Sequence, residues 1–346
     1  MENWQKSLLK SITSPEAIPE KYGIDPGPLK RVVDHYPMRV TPYYLGLIRE
    51  EGDPIWRQCI PDMRELNGDP FSPDPLNENG MSPVPGIIYR YPDRVVFLVT
   101  STCAALCRFC TRKHQLQQKA AAPVDPVLSG LRFIEKTPSI RDVILSGGDP
   151  LLLVDEALET ILSMLKKIPH VEIVRINSRV PVTLPERITV RLCRMLRRFH
   201  PLYLNTHFNH PAEIREESRE ACARLADAGL PLGNQTVLLG GVNDDAAVMK
   251  ELMQKLLSIR VKPYYIHQMD LVKGTGHFYT PVEKGLEIMA GLRGHTSGMA
   301  NPYYVIDLPG GKGKVPLLPD DVKWEGGKLL LRNYLGEVVE YPDNKG

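Results

Sequence analysis

Three cysteines, Cys103, Cys107 and Cys110, fall at spacings of four and three inside Thr100-Ser-Thr-Cys-Ala-Ala-Leu-Cys-Arg-Phe-Cys-Thr-Arg-Lys-His114. Thiols at this density hold metal or form disulfides, and the redox compartment decides which. A cubane iron–sulfur cluster takes four ligands, so three cysteines leave one iron open to something else. The same run could instead close a tetrahedral zinc site with His114 as fourth ligand, or the thiols could be inert and buried. Cys59, Cys193 and Cys222 are scattered, the last two on amphipathic helical patterns, and read as buried thiols.

Other groups with chemical potential lie further along. Ser146-Gly147-Gly148-Asp149-Pro150 is either a plain turn or a loop whose glycines let backbone groups approach a small zwitterion. Gly310-Gly-Lys312-Gly-Lys314 is not a phosphate loop, since no Ser or Thr follows Lys314 and Gly-x4-Gly-Lys is absent. It is a mobile basic loop, or it presents a lysine for a Schiff base with pyridoxal phosphate, which needs an anion clamp nearby. Arg90 and Arg94, four apart beside Pro92, have the spacing for that clamp, or belong to a solvated turn. Asp270 and Asp307 each end an apolar run. Alone each reads as a cap or a surface acid; held together they repel unless a cation such as an alkylammonium sits between them.

The elements that must position these groups follow a rhythm. The run 95–99 reads as a buried strand. Strand-like runs at 142–145, 171–176, 202–205, 235–239 and 263–266 precede helical patterns at 155–167, 185–199, 212–228, 244–257 and 281–292. With the first strand and its helix this makes six βα units, an α/β parallel sheet covered by helices. Polar residues cluster at strand carboxyl ends, where barrel enzymes keep their chemistry. Residues 1–94 are Pro-rich, with short helices expected at 4–13, 27–35 and 45–50 and an extended arm from Asp69, and read as a covering segment. The barrel is expected over 95–300, and 301–346 supplies the lysine loop and a small β-meander over 322–341.

Length and charge narrow the class. At 346 residues the chain can bury a large core, and a net charge of +2 with interspersed signs gives no reason to expect nucleic acid or a membrane surface. The amino-terminal residues lack an apolar signal core, and the reading is a cytoplasmic protein.

The stretches YRYPDRVVFLVT, CAALCRFCTRK, LSGGDPLL, IPHVEIVRINSR, LNTHFNHPAEI, LGNQTVLLGGVND, KPYYIHQMD, LRGHTSG and DLPGGKGKVP cover much of the chain. With them the sequence resembles the lysine 2,3-aminomutases, radical S-adenosylmethionine enzymes that also use pyridoxal phosphate. The resemblance implies a partial (β/α)6 barrel of radical SAM type with a [4Fe-4S] cluster on Cys103, Cys107 and Cys110. It implies S-adenosylmethionine near Ser146, Gly147, Gly148, Asp149, Pro150, Asn177, Arg179, His207 and Gln235. It places pyridoxal phosphate on Lys314 with its phosphate on Arg90 and Arg94, the substrate carboxylate on Arg112, and the substrate's distal ammonium on Asp270 and Asp307. The implied reaction moves the α-amino group of L-lysine from C2 to C3. It uses an electron donor such as flavodoxin or ferredoxin, in a homo-oligomer.

Alternatives inside the class are a mutase acting on glutamate and one supplying β-lysine to modify elongation factor P; outside it stands a non-catalytic zinc or iron–sulfur scaffold. An arginine plus two acids matches lysine better than glutamate, because two fixed acids facing a carboxylate are costly in a dry pocket. The sequence also departs from the family pattern. Longer members carry a zinc site built from a barrel cysteine and a Cys-rich extension; here Asp245 holds the barrel position and the last residues contain no cysteine, so no zinc is expected. His267 stands where the lysine enzymes have Tyr, and Met269 where they have Cys.

Overall fold

The structure, a computed structural model, describes residues 1–115, 126–318, 321–326 and 328–342. Alternation builds its sheet: in β2, Arg94–Thr100, Val95, Phe97 and Val99 are buried while their neighbours are half-exposed. β1, Ile87–Tyr91, pairs antiparallel with β2. Six further strands then add in parallel and in chain order: β3 (Asp142–Gly147), β4 (Ile173–Asn177), β5 (Leu202–Thr206), β6 (Leu232–Leu238), β7 (Lys262–Gln268) and β8 (Tyr303–Asp307). β9, Lys314–Pro316, returns antiparallel along β8.

The six expected βα units are therefore present, with β8 as a seventh parallel strand, in a curled, open half-barrel of the α/β class. The sheet takes in residues 87–91 and 314–316, so it crosses both of the boundaries expected from composition. A separate antiparallel sheet of β10 (Val322–Glu325), β11 (Lys328–Arg332) and β12 (Val338–Tyr341) forms the meander.

Helices cover the sheet with one apolar stripe each. Ala246–Ser258 buries Met249, Leu252, Met253 and Leu256, the spacing of a single helical face. Its cap is Asp245, whose carboxylate accepts from the amides of Ala247 (2.8 Å) and Val248 (3.0 Å). The single helix expected at 185–199 is broken. Thr189 Oγ1 accepts from Leu192 N and starts a new helix at Val190–Leu196, between 3₁₀ turns at Pro185–Arg187 and Arg197–Phe199.

The amino-terminal segment corrects a second expectation. No helix spans 45–50; instead Thr41-Pro42 and Asp53-Pro54 start helices at Pro42–Gly46 and Pro54–Cys59, because a capping side chain followed by proline at the first helical position outweighs an apolar run. This segment packs on the barrel, Thr41 Oγ1 donating to the Thr183 carbonyl and Tyr44 Oη to Glu213 (2.7 Å). Among the described residues no helix is long and apolar enough to cross a membrane.

Candidate active site

The cysteine loop leaves the end of β2 and lies against the loop after β3. Gly148 N donates to the Thr100 carbonyl (2.6 Å) and Asp149 N to the Thr102 carbonyl (2.7 Å). A Cβ on Gly147 would stand 2.2 Å from the Thr100 oxygen, and one on Gly148 2.2 Å from the Thr102 oxygen. The glycines are thus required by the close approach of two loops, and Gly147 also has a φ of 121° that other residues avoid. Asp149 is turned inward, where it accepts from Ser178 Oγ (2.7 Å) and from the amides of Leu151, Arg179 and Val180. It ties the third strand end to the fourth, and burial raises its pKa despite those bonds.

Beneath the thiols lies a network of buried charge. Glu65 accepts from Arg108 through both oxygens (2.9 and 2.6 Å) and from Lys113 Nζ (2.9 Å), with all three side chains at most 4% exposed. Burial alone would raise the Glu65 pKa, but the two cations overcome it and hold the carboxyl low. Lys113 also donates to the carbonyls of Arg108 and Gly274, so the loop is fastened from below. Arg179 donates Nη1 to Cys107 Sγ (2.7 Å) and Nη2 to Glu213, Tyr44 and Gln58. Cys103 and Cys110 have raised pKa values, first from burial and then from the neighbouring cysteines. His114 turns away, its Nε2 on the Lys273 carbonyl and its ring edge-on to Tyr36.

Across the mouth, the antiparallel pairing of β8 with β9 sets Asp307 opposite Lys314. Lys314 Nζ donates to Asp307 Oδ2 and lies 3.2 Å from His267 Nδ1, which is 3.4 Å from the same carboxylate oxygen. Arg90 Nη1 bonds the other oxygen at 3.1 Å. Burial would raise the Asp307 pKa, but the adjoining His267 ring and the Lys314 charge hold it well below the usual carboxylate range. Asp270, at the end of β7, is the opposite case: burial and then the Asp307 charge push it up to about 7, and its carboxylate has no hydrogen-bond partner among the described residues.

The remaining expected residues divide. Arg112 is engaged by Glu78 through Nε (2.8 Å) and Nη2 (2.7 Å), and its Nη1 has no hydrogen bond among the described residues. Arg94 does not join Arg90; it stacks over the Tyr91 ring at 3.8 Å and pairs with Asp93. Asn177 accepts from Asn205, Ser146 stands half-buried near the end of β3, and Gln235 stands half-buried in the middle of β6. His207 is half-buried against Phe109, its basicity well down through desolvation and then the Arg179 charge. Sequence reasoning missed Tyr44, Gln58, Glu65, Glu78 and Glu213, because each meets the site through a contact across tens of residues that no local pattern announces.

Residues 289–346 match the family described as Lysine-2,3-aminomutase, and residues 97–256 match the radical SAM superfamily. An L-lysine 2,3-aminomutase of Clostridium subterminale is 54% identical over 311 residues, covering 88% of this chain and 75% of that protein. The chain belongs to the lysine 2,3-aminomutase family. An L-lysine 2,3-aminomutase of Methanococcus maripaludis is 47% identical over 99% of this chain and 82% of its own length. A glutamate 2,3-aminomutase of Clostridioides difficile is 48% identical over 91% of this chain and 76% of its own length.

For an aminomutase of the radical SAM superfamily a [4Fe-4S] cluster and S-adenosylmethionine are implied, and the residues fit them. Three thiols share one loop beside cationic Arg179, Arg112 and Lys113. Arg90 Nε, His207 Nε2 and His267 Nε2 are buried polar atoms with no hydrogen-bond partner among the described residues, the condition of atoms awaiting a ligand or water.

Proposed function

We propose that this chain is a lysine 2,3-aminomutase that converts L-lysine to β-lysine. One observation carries the choice of substrate: Asp270 is an acid recessed beside a second acid with no hydrogen-bond partner of its own among the described residues. The distal ammonium of a bound lysine would satisfy it. A glutamate side chain there would set a third carboxylate against the pair, at a cost of about several kcal/mol in a dry pocket. The relatives named for lysine at 47–54% identity support the same choice.

In this reading Cys103, Cys107 and Cys110 would hold the cluster. Ser146, Gly147, Gly148, Asp149, Pro150, Asn177, Arg179, His207 and Gln235 would form the surroundings of S-adenosylmethionine. Among these Asp149 acts through the loop it braces. Lys314 would carry pyridoxal phosphate, with Arg90 toward its phosphate; Arg94 would join it by leaving Asp93 and the Tyr91 ring. So loaded, the site has a reductively generated carbon radical available from S-adenosylmethionine and a carbonyl carrier for the migrating amino group in pyridoxal phosphate.

The chain's own residues supply placement. Arg179 fixes the position of Cys107 through its Nη1–Sγ hydrogen bond. Glu78 holds one edge of Arg112, so that the other can receive the substrate carboxylate. Asp307 keeps the Lys314 amine at the mouth, while Phe109, Met269 and Phe278 form an apolar wall behind the thiols that excludes water. An external one-electron donor of flavodoxin or ferredoxin type, a homo-oligomer and a cytoplasmic setting complete the proposal.

The test is anaerobic reconstitution with both cofactors, then L-lysine, L-glutamate and L-ornithine offered separately with chiral analysis of products. β-Lysine from lysine and nothing from glutamate is expected; rearranged glutamate, or no rearrangement of any substrate, overturns the reading.

A further inference from the structure

Among the described residues, His267 is the one imidazole that touches Lys314. Its Nδ1 lies 3.2 Å from Lys314 Nζ and 3.4 Å from Asp307 Oδ2, and Asp307 Oδ2 also accepts from Lys314. Lysine nitrogen, imidazole nitrogen and carboxylate oxygen thus form a closed triangle, fixed by the register of β8 against β9 and by β7 beside them. We infer that His267 is a catalytic residue that takes the proton from the Lys314 ammonium, freeing the amine to bond a carbonyl carbon.

The step balances within the triangle. One Nζ–H bond breaks, its electron pair stays on Nζ, and a new N–H bond forms at Nδ1. Before the transfer Asp307 faces a lysine ammonium; after it, the same oxygen faces an imidazolium. The positive charge never leaves its counter-charge, so the move avoids exposing an unpaired ion in a recessed site. The tautomer required carries its hydrogen on Nε2, and that is the atom left buried without a partner.

Burial lowers the basicity of His267 against the opposing pull of Asp307, and the Lys314 charge lowers it further, which favours the neutral ring whose Nδ1 can accept. The ionisable groups around it are Asp307, with Arg90 behind it, Lys314, Tyr265 whose ring stands 5.4 Å away, His207 from the loop after β5, and Asp270 through its interactions with Asp307 and Lys314. No other imidazole or neutral amine approaches Lys314 Nζ among the described residues.

The inference rests on Lys314 being the lysine that carries pyridoxal phosphate, and its test separates the two. Cluster-reconstituted full-length protein, freed of pyridoxal phosphate, is mixed with it at neutral pH. Borohydride quenching at intervals and peptide mass mapping then give the rate of pyridoxyl attachment to Lys314. His267→Gln and His267→Asn keep a polar side chain that cannot accept a proton. They should slow attachment at least about tenfold near pH 7, with the gap closing in strongly alkaline solution, and added imidazole should restore part of the rate. Attachment to Lys314 at the wild-type rate in both variants overturns the inference. So does a slowing that persists unchanged at alkaline pH and ignores imidazole, since that marks a packing defect. A wild-type protein with no adduct on Lys314 overturns the proposed function itself.

Discussion

Replacing Asp270 by Asn should make the fold more stable at neutral pH while weakening lysine binding. The Asp270 carboxyl titrates near 7, against 3.8 for an unperturbed aspartate. Between those values the folded chain keeps a proton that the unfolded chain has released. The sign follows: the stabilising effect of the protonated form is complete below 3.8 and is lost as pH rises through about 7. The slope is about 1.4 kcal/mol per pH unit, so wild type should lose about 2 kcal/mol relative to Asp270→Asn between about pH 5.5 and pH 7, and little more above it. Urea unfolding of both proteins without pyridoxal phosphate, at matched pH, measures the difference, and groups common to both cancel. A second arm follows lysine binding by calorimetry on the loaded protein. Ionisation of Asp270 should tighten wild-type binding about tenfold from pH 6 to pH 8, and the variant should bind weakly at both. Parallel stability curves, or a variant that binds lysine as wild type does, would refute the assignment of Asp270 as a strained acid held for a cation.

Three further outcomes follow from the geometry. Glu65→Gln leaves Arg108 and Lys113 buried without their countercharge and should cost about 3–5 kcal/mol of stability, read by chemical unfolding; a loss under about 1 kcal/mol would mean that the charges find water or move apart. Gly148→Ala forces a Cβ into the Thr102 carbonyl and so displaces the loop that carries Cys103. The fold should survive by circular dichroism while iron and sulfide bound per chain fall sharply, and full cluster loading would show that the two loops can separate freely. Asp307→Asn keeps a hydrogen-bonding shape but removes the charge shared by Arg90, His267 and Lys314; kcat/KM for lysine should fall on the order of a hundredfold, and a loss below about threefold would place the ammonium elsewhere.

Much of this was legible from residue types because the chemistry is local. The cysteine spacing, the strand-end placement of Ser146, Asn177, His207 and Asp270, and the βα rhythm are all short-range signals, and six βα units are what the fold contains. The helix differences are local too: Thr41-Pro42 and Asp53-Pro54 start helices on either side of the expected 45–50, and Thr189 starts a helix inside the expected 185–199. What stayed hidden is pairing over distance. Nothing near Arg112 names Glu78, and nothing near Cys107 says that Arg179 reaches it while bonded to Tyr44, Gln58 and Glu213.

Those hidden pairings explain the amino-terminal segment. It contributes Tyr44, Gln58, Glu65 and Glu78, and each supports a cation that borders the thiols or the mouth. The arm carrying Glu78 also touches the lysine loop, since Gly310 N donates to the Pro75 carbonyl at 2.8 Å and a Cβ on Gly311 would stand 2.9 Å from the Leu76 oxygen. One short stretch of chain therefore braces both the arginine on the cysteine side and the loop bearing Lys314. Buried charges gain little net stability, but breaking one member leaves its partners stranded, so such a network defines position more than it adds free energy. That is the service a site needs when its two halves lie at opposite ends of the sequence, on the loop after β2 and on β9.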